Sequence, residues 1–289
     1  MTQNNFNSKI ESYLKEIPSL PVSVGKVLEI CNNSSSSPTD LNQVISLDPV
    51  LTGKLLQLIN SAYYGLGLGS HVTSIVKAIT MLGTNTVKNL ALSSAILSTL
   101  PKNKEQSGLD MEGFWRHCLC VGVFSKLIAI RQKVDSRYHQ EYFTAGLLHD
   151  IGKIPLNAVL SSEYMNTITS ADRDNSALHI IENEKIGTNH TVIGKLIAAA
   201  WKLDNPVADV IACHHNTEEY NGDFVHILYT VAVSNYFSVL NDIGFAGNRK
   251  PVKPEKKIWD FLKIKEDIYE EFIGNVNEEI NKAKIFLQI

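Results

Sequence analysis

Cysteine is scarce in this sequence of 289 residues, and its four cysteines form no C-x-x-C pair. A zinc site built on thiolates needs such closely spaced pairs, so the sequence argues against one. Cys118, Cys120 and Cys213 stand among apolar neighbours. This setting is typical of free, buried thiols in a reducing compartment, and we expect a cytoplasmic protein.

Long apolar runs are also missing, which disfavours an association with membranes. No uninterrupted apolar stretch approaches the roughly 20 residues that a membrane-spanning helix needs. The first residues, MTQNNFNSKIE, lack the basic start and apolar core of a secretion signal. Both observations agree with a cytoplasmic location.

An excess of positive charge is absent as well, since the formal net charge is −3. Binding to a phosphate backbone needs a basic surface, so nucleic acid is disfavoured as a partner. The most basic stretch, GFAGNRKPVKPEKK at residues 244–257, has no aromatic residues between its charges to stack on bases. We interpret this basic stretch as a solvated loop.

What the sequence does contain is apolar residues at helical spacing, with repeated helix start signals. In SSPTDLNQVISL, Ser37 stands before Pro38, and in SLDPVLTGKLLQLINSAYYG, Asp48 stands before Pro49. A capping residue followed by proline is a typical helix start. No convincing series of alternating strand patterns is present, so we predict an all-α fold built as a helical bundle.

Two polar breaks divide the sequence into three parts. The first is LPKNKEQSGLD at residues 100–110, and the second is the basic stretch. We predict an N-terminal helical part over residues 1–105 and a helical core over residues 106–240. The remaining residues, 241–289, are predicted to form a loop and an amphipathic helix that packs on the core.

Six histidine and aspartate residues lie inside or at the ends of strongly apolar segments. They are His117, His149, Asp150, His190, His214 and His215. A buried carboxylate is costly unless a cation pairs with it, and imidazole and carboxylate suit zinc, iron and manganese. Any one of these histidines alone is explained as a core residue, but together they indicate a metal pocket. No companions support His139, His179 and His226, which we interpret as ordinary histidines.

The stretch AGLLHDIGK, residues 145–153, is the centre of this hypothesis. Neighbours within a helix do not face each other, but at a helix end His149 and Asp150 can aim at one point, and Gly152 permits the turn. Asp150 is suited to bridge two ions, and Lys153 can hold a phosphate oxygen as a point charge. Metal ions would activate water and stabilise charge on a phosphoryl group, so the pattern permits hydrolysis of a phosphate ester.

The order of these residues resembles the HD superfamily of metal-dependent phosphohydrolases and its HD-GYP relatives. The N-terminal half resembles the HDOD family, a bacterial signalling module related to the HD hydrolases. That resemblance is carried by SLPVSVGKVLEI, ISLDPVLTGKLLQLINSAYYG and SIVKAITMLGTNTVKNLAL, and it covers roughly residues 17–240. It implies a cytoplasmic regulatory protein in which an HDOD N-terminal part packs on an HD-type, phosphohydrolase-like helical core.

The resemblance also implies roles for individual residues. The ligands of a first metal match His117, His149 and Asp150. The ligands of a second metal match His190, His214 and His215. The phosphate-contacting lysine of the HD-GYP relatives matches Lys153. The implied cofactor is one or two divalent ions of iron, manganese, zinc, nickel or magnesium.

Two positions depart from the hydrolase pattern. Asn235 stands where the HD hydrolases place an aspartate that closes the first metal site, and an amide oxygen is a neutral, weaker ligand. Asn216 stands where the HD-GYP relatives have a glutamate, and the Gly-Tyr-Pro loop that follows in those relatives is absent from the sequence. A cyclic dinucleotide phosphodiesterase of that type is therefore disfavoured.

Three functional hypotheses remain. The first is a signal-transduction module with a partly retained metal site, a phosphate or nucleotide ligand and an unidentified signalling partner. The second is an active metal-dependent phosphohydrolase for a phosphomonoester, phosphodiester or nucleotide, with Asp150 and Lys153 as catalytic residues. The third is a structural adaptor without metal.

Overall fold

Helices form the regular structure of the protein in the computed structural model, which describes residues 12, 19–33, 36–64, 72–99, 108–203, 205–247 and 249–287. No strand is present among these residues, so the all-α prediction is confirmed. The helices of the N-terminal part are α1 (Val22–Asn32), α2 (Pro38–Ser46), α3 (Pro49–Ile59), α4 (Ile75–Leu82) and α5 (Thr84–Thr99).

The remaining helices begin with the long helix α6. Those of the predicted core are α6 (Met111–Arg131), α7 (His139–Leu148), α8 (Lys153–Val159), α9 (Ser161–Arg173), α10 (Leu178–Lys185), α11 (His190–Ala200), α12 (Asn205–Cys213) and α13 (Val225–Leu240). Those that follow are α14 (Lys256–Leu262) and α15 (Ile268–Ala283). Short 3-10 turns lie at Ser136–Tyr138 and Lys284–Leu287.

The predicted helix starts at α2 and α3 are confirmed. Ser37 and Asp40 form a reciprocal capping box at the start of α2. At α3 the Asp48 carboxylate accepts hydrogen bonds from the backbone N–H groups of Val50 and Leu51 at 3.1 and 2.9 Å. Asp48 also accepts a hydrogen bond from the Ser23 hydroxyl at 2.6 Å, which ties the start of α3 to α1.

Helix α6 is the central element of the core, since it packs against α7, α13 and α15. By length and composition it is the one helix in the described ranges that could cross a membrane, although the sequence predicts no apolar run of that length. However, 67% of its most apolar window is buried inside the fold. Its apolar character is therefore accounted for by the helices packed around it.

An aromatic contact joins the N-terminal helices to the core and to the C-terminal end. Tyr63, which follows α3, lies with its ring centroid 5.2 Å from Phe143 of α7 and 5.6 Å from Phe286. The Lys126 ammonium of α6 lies 4.3 Å from the centroid of the same tyrosine ring. One apolar core thus runs through all three parts, and the division at residues 105 and 240 stays a prediction.

Gly152 lies where the segment after α7 passes closely over the start of α11. A Cβ atom at Gly152 would overlap the carbonyl oxygen of His190 and lie 2.6 Å from the amide nitrogen of Gly194. The expected turn is present at residues 149–152, but the Gly152 φ of −67° is open to any residue, so the turn does not need glycine for its backbone conformation. Glycine is needed here because two backbones touch, and this approach brings His149 and Asp150 to His190.

We expect Gly152→Ala to lower the free energy of unfolding by about 3 kcal/mol, because the added methyl group must push two backbones apart. Gly53→Ala is the matched control. Gly53 lies within α3, and a Cβ atom there would have no neighbouring atom within 4 Å, so alanine should raise stability by up to about 1 kcal/mol. Urea unfolding of both variants makes the comparison, and equal stability of Gly152→Ala and wild type would contradict the close approach.

Candidate metal centre

The carboxylate of Asp150 lies in a cluster of imidazole rings and is 1% exposed. Its Oδ1 atom is 3.2 Å from His190 Nε2 and 3.5 Å from His214 Nε2. Its Oδ2 atom is 3.3 Å from His149 Nε2 and 3.6 Å from His117 Nε2. The two oxygens of one carboxylate therefore face two different pairs of imidazoles.

Four segments that are distant in sequence bring these residues together. His117 lies within α6, and His149 follows the last residue of α7. His190 is the first residue of α11, and His214 and His215 follow the end of α12. The packing of α6 on α7 and of α11 on α12 brings these segments together around Asp150. The structure thus groups the six histidine and aspartate residues that the sequence analysis selected.

The Nδ1 atoms of the four nearest imidazoles all bond to groups other than Asp150. The partners are Ser238 Oγ for His117 (3.0 Å), Gly146 O for His149 (2.7 Å), Glu182 Oε2 for His190 (2.6 Å) and Val210 O for His214 (3.0 Å). Carbonyl and carboxylate oxygens only accept, and the Ser238 hydroxyl donates to the carbonyl of Ile243. Each Nδ1 therefore carries a proton, and in the neutral ring each Nε2 presents a lone pair.

These lone pairs make the centre suitable for a cation. The four Nε2 atoms and Asp150 Oδ1 are buried without a hydrogen-bond partner. All of them are acceptors, and acceptors that face one another cannot satisfy each other by hydrogen bonding. A divalent cation satisfies all of them at once, and neutral imidazole with carboxylate is a donor set that transition metals prefer.

Two overlapping sets of ligand atoms fit an ion, and within each set the atoms lie within 4.8 Å of one another. One set contains Asp150, His190, His214 and His215. The other contains His117, His149 and Asp150. The two sets share only Asp150.

Two residues of α10 support the centre and were not predicted from the sequence. Glu182 is fully buried and accepts hydrogen bonds from His190 Nδ1, from the His190 backbone N–H at 3.0 Å, and from the Tyr164 hydroxyl at 2.7 Å. His179, interpreted as an ordinary histidine, stacks on His215 with ring centroids 4.1 Å apart. Residues three apart share a helix face, so the spacing of His179 and Glu182 was the available signal.

Lys153 is bound to Asp150 in this structure. Its ammonium donates to Asp150 Oδ2 at 2.6 Å and to the carbonyl oxygen of Ala246 at 2.9 Å, and the residue is 3% exposed. Burial alone would raise the pKa of Asp150, but the Lys153 ammonium bonded to it holds that pKa well below its usual value. The carboxylate is thus ionised at neutral pH and ready to bind a cation.

Burial has the opposite consequence for the imidazoles, because it disfavours their charged form. It lowers the pKa of His117 well below its usual value and that of His214 to about 3. Burial also lowers the pKa of His179 to about 4. These rings are neutral at pH 7, and neutral imidazole is the form that binds metal.

A cavity of about 320 Å³ opens beside the centre. Its inner wall includes Lys153, His214 and His215, together with Asn235 of α13. Asn235 is half-buried there, on the wall beside the centre. Its role as a ligand of the first metal stays a prediction.

The basic stretch forms the outer wall of this cavity, which its interpretation as a solvated loop did not foresee. Lys250, Val252, Lys253, Pro254 and Glu255 line that wall. The basic side chains are exposed, and ion pairs connect the stretch to acidic residues outside it. Those pairs are Arg249 with Asp242 and Lys253 with Glu266, both at 2.7 Å.

Comparison with known proteins gives a family match and a set of related folds. A family model for the HDOD domain matches residues 17–217. An uncharacterized protein of Treponema pallidum is 23% identical over 228 residues, which are 79% of this chain and 43% of that protein. The chain therefore spans less than half the length of that relative.

Solved structures that share this fold include three whose sequence identity to this chain is low. An HDOD domain protein of unknown function from Geobacter sulfurreducens has a TM-score of 0.72, 22% identity and 96% coverage of both chains. A candidate phosphohydrolase from Shewanella amazonensis has a TM-score of 0.71, 23% identity and coverage of 96% of this chain and 98% of that one. A candidate signal transduction protein from Marinobacter aquaeolei has a TM-score of 0.74, 17% identity and coverage of 98% and 66%. At these identities the similarity shows the fold alone.

We expect Glu182→Gln to weaken metal binding by about 10–100-fold, because a neutral amide supports the His190 ring less well than a carboxylate does. Glu184→Gln on the same helix is the matched control, since Glu184 is exposed. Calorimetric titration of each variant with manganese measures the affinity. Equal affinity in Glu182→Gln and Glu184→Gln would contradict the supporting role of Glu182.

The metal-free protein should lose stability as the pH falls below about 6.5, the value of an unfolded histidine. The pKa of His179 is lowered to about 4 and that of His214 to about 3 in the folded state. Between the folded and the unfolded pKa values, the unfolded chain binds more protons than the folded chain, so acid favours unfolding. Below about pH 4, Asp150 and Glu182, whose pKa values are also lowered, add to the loss.

Thermal unfolding of chelator-treated protein between pH 7.5 and pH 5 measures this loss. His179→Phe keeps a ring on His215 but removes one titrating group, so its melting temperature should depend less steeply on pH. A melting temperature that stays constant or rises as the pH falls would contradict neutral, buried imidazoles.

Proposed function

This chain belongs to the HDOD family, and we propose from that premise that it is a signal-transduction protein whose helical pocket holds a divalent metal ion. One observation carries the metal site: four Nε2 lone pairs surround the Asp150 carboxylate, and neither they nor its Oδ1 atom have a hydrogen-bond partner. A structural adaptor would keep this arrangement only at a considerable cost in stability.

The residues proposed to hold metal are those of the two overlapping sets and Asn235 on the cavity wall. Their imidazole-rich chemistry favours manganese, iron, nickel or zinc over magnesium, which prefers oxygen ligands. When bound, such an ion polarises a phosphoryl oxygen and lowers the pKa of a coordinated water.

The cavity beside the centre is the proposed site of a phosphate or nucleotide ligand. Its volume of about 320 Å³ lies at the lower end of the range for small-molecule pockets, which favours a ligand no larger than a nucleotide. Lys250 and Lys253 on the outer wall supply positive charge. Lys153 can contact a ligand phosphate only by exchanging its bond to Asp150 for one to the phosphate.

Regulation is favoured over turnover because of Asn235. With a neutral amide in place of the aspartate that closes the first metal site, the set of His117 and His149 has Asp150 as its only carboxylate among the described residues, so we expect it to bind a second ion less well. The signalling partner, the cytoplasmic location and the activity of the whole protein are part of this proposal. The free state of all four cysteines supports a reducing compartment.

An active phosphohydrolase is the second candidate. It is favoured by the presence of every histidine of the hydrolase pattern around Asp150, at the inner end of a cavity. Under this alternative, Asp150 and Lys153 would be the catalytic residues, acting on a phosphomonoester, a phosphodiester or a nucleotide.

Elemental analysis of protein purified without chelator should find at least one transition-metal ion per chain. Asp150→Asn should abolish this content while circular dichroism shows a helical fold, and Asp172→Asn, a change at an exposed residue, is the matched control. A metal-free wild type that is not stabilised by added manganese or iron would rule out the proposal.

A phosphodiester assay with manganese separates the two candidates. A regulatory module predicts no turnover above that of Asp150→Asn. Turnover that Asp150→Asn removes, and that Asn235→Asp raises, would establish the phosphohydrolase instead.

A further inference from the structure

We propose that the centre holds a single ion, bound on the Oδ1 side of Asp150, and that the Lys153 ammonium takes the place of a second ion on the Oδ2 side. The inference rests on the proposed metal site. It goes beyond that site because it assigns the number of ions, their position and the residue that excludes the second one.

The two oxygens of Asp150 differ in what already binds them. Oδ1 is buried without a hydrogen-bond partner, although His190 and His214 face it. Oδ2 accepts a hydrogen bond from the Lys153 ammonium at 2.6 Å. One oxygen therefore lacks a cation, and the other already has one.

An ion on Oδ2 would meet this ammonium at close range. Two cations that bind one oxygen, an ion at about 2.1 Å and an ammonium at 2.6 Å, lie less than about 5 Å apart. Inside a buried site their repulsion is only weakly screened. Binding of a second ion therefore requires Lys153 to leave.

Lys153 is held where it is by more than Asp150. Its ammonium also donates to the Ala246 carbonyl at 2.9 Å, so departure would break two hydrogen bonds. Its backbone begins α8, directly after Gly152, whose backbone closely approaches that of His190. Departure of the ammonium therefore costs two buried hydrogen bonds as well as a change of side-chain rotamer.

The distribution of negative charge in the centre also favours an ion on the Oδ1 side. On the Oδ1 side the Glu182 carboxylate stands behind His190. On the Oδ2 side the partners of His117 and His149 are a hydroxyl and a carbonyl, which are neutral. The Oδ1 side therefore attracts a divalent ion more strongly, while the Lys153 charge offsets Asp150 on the other side.

The number of metal-ligand atoms on each side of Asp150 also favours a single ion on the Oδ1 side. The Oδ1 side offers the carboxylate and three imidazoles, from His190, His214 and His215, which is a complete four-coordinate set. The Oδ2 side offers His117 and His149 besides the oxygen that Lys153 already binds. A one-ion centre of this kind is better suited to binding than to the two-ion displacement of a phosphate ester.

Manganese titration by calorimetry, with electron paramagnetic resonance on the same samples, tests this assignment. Wild type should bind one ion with no spin coupling between ions. Lys153→Met, which keeps the length of the side chain without its charge, should bind two coupled ions. Lys153→Arg keeps the charge and should still bind one.

A second pair of variants locates the ion even if Lys153→Met fails to fold. His215→Ala should weaken the single site by about 10–100-fold, a much larger loss of affinity than His117→Ala should cause. Two ions of similar affinity in wild type, or loss of the single ion in His117→Ala but not in His215→Ala, would overturn the assignment and leave the proposed metal site standing. No manganese binding in wild type would overturn both.

Discussion

The whole centre depends on one electrostatic constraint, an ionised carboxylate buried among imidazole lone pairs. A carboxylate in such a place must be neutralised, because the desolvation of a charge inside a protein is costly. Asp150 cannot obtain hydrogen bonds from the four rings, since their Nδ1 protons are committed to Ser238, Gly146, Glu182 and Val210. Cations are the remaining solution, and Lys153 supplies one of them.

The rest of the fold serves this arrangement. Helix α6 carries His117 and packs on α7, which ends beside His149. The touching backbones at Gly152 bring His190 to the other side of the carboxylate. The buried Glu182 then fixes the His190 ring, so that α10 controls the geometry of the centre although it donates no ligand. The basic stretch completes the wall of the cavity beside the centre.

Local patterns in the sequence were sufficient for the all-α fold and the starts of α2 and α3, because capping and helical periodicity are short-range properties. The grouping of the six histidine and aspartate residues was also accessible, since each stands beside an apolar stripe. Other features could not be predicted from the sequence: the bond between Lys153 and Asp150, the carboxylate of Glu182 behind His190, and the outer wall of the cavity. They arise from the packing of α10 on α11 and from contacts across the fold, such as that of Lys153 with Ala246, for which no periodic signal exists. The requirement for glycine at position 152 comes from such packing too, and not from its backbone conformation.

The position of the ion is the most direct test of a centre organised around Asp150. Crystals of the manganese-loaded protein should show a single anomalous-scattering peak at bonding distance from Asp150 Oδ1 and from the Nε2 atoms of His190 and His214. Lys153 should remain on Oδ2. Two peaks of equal height, one on each carboxylate oxygen, would contradict the single-ion centre, and the absence of any peak would contradict the metal site itself.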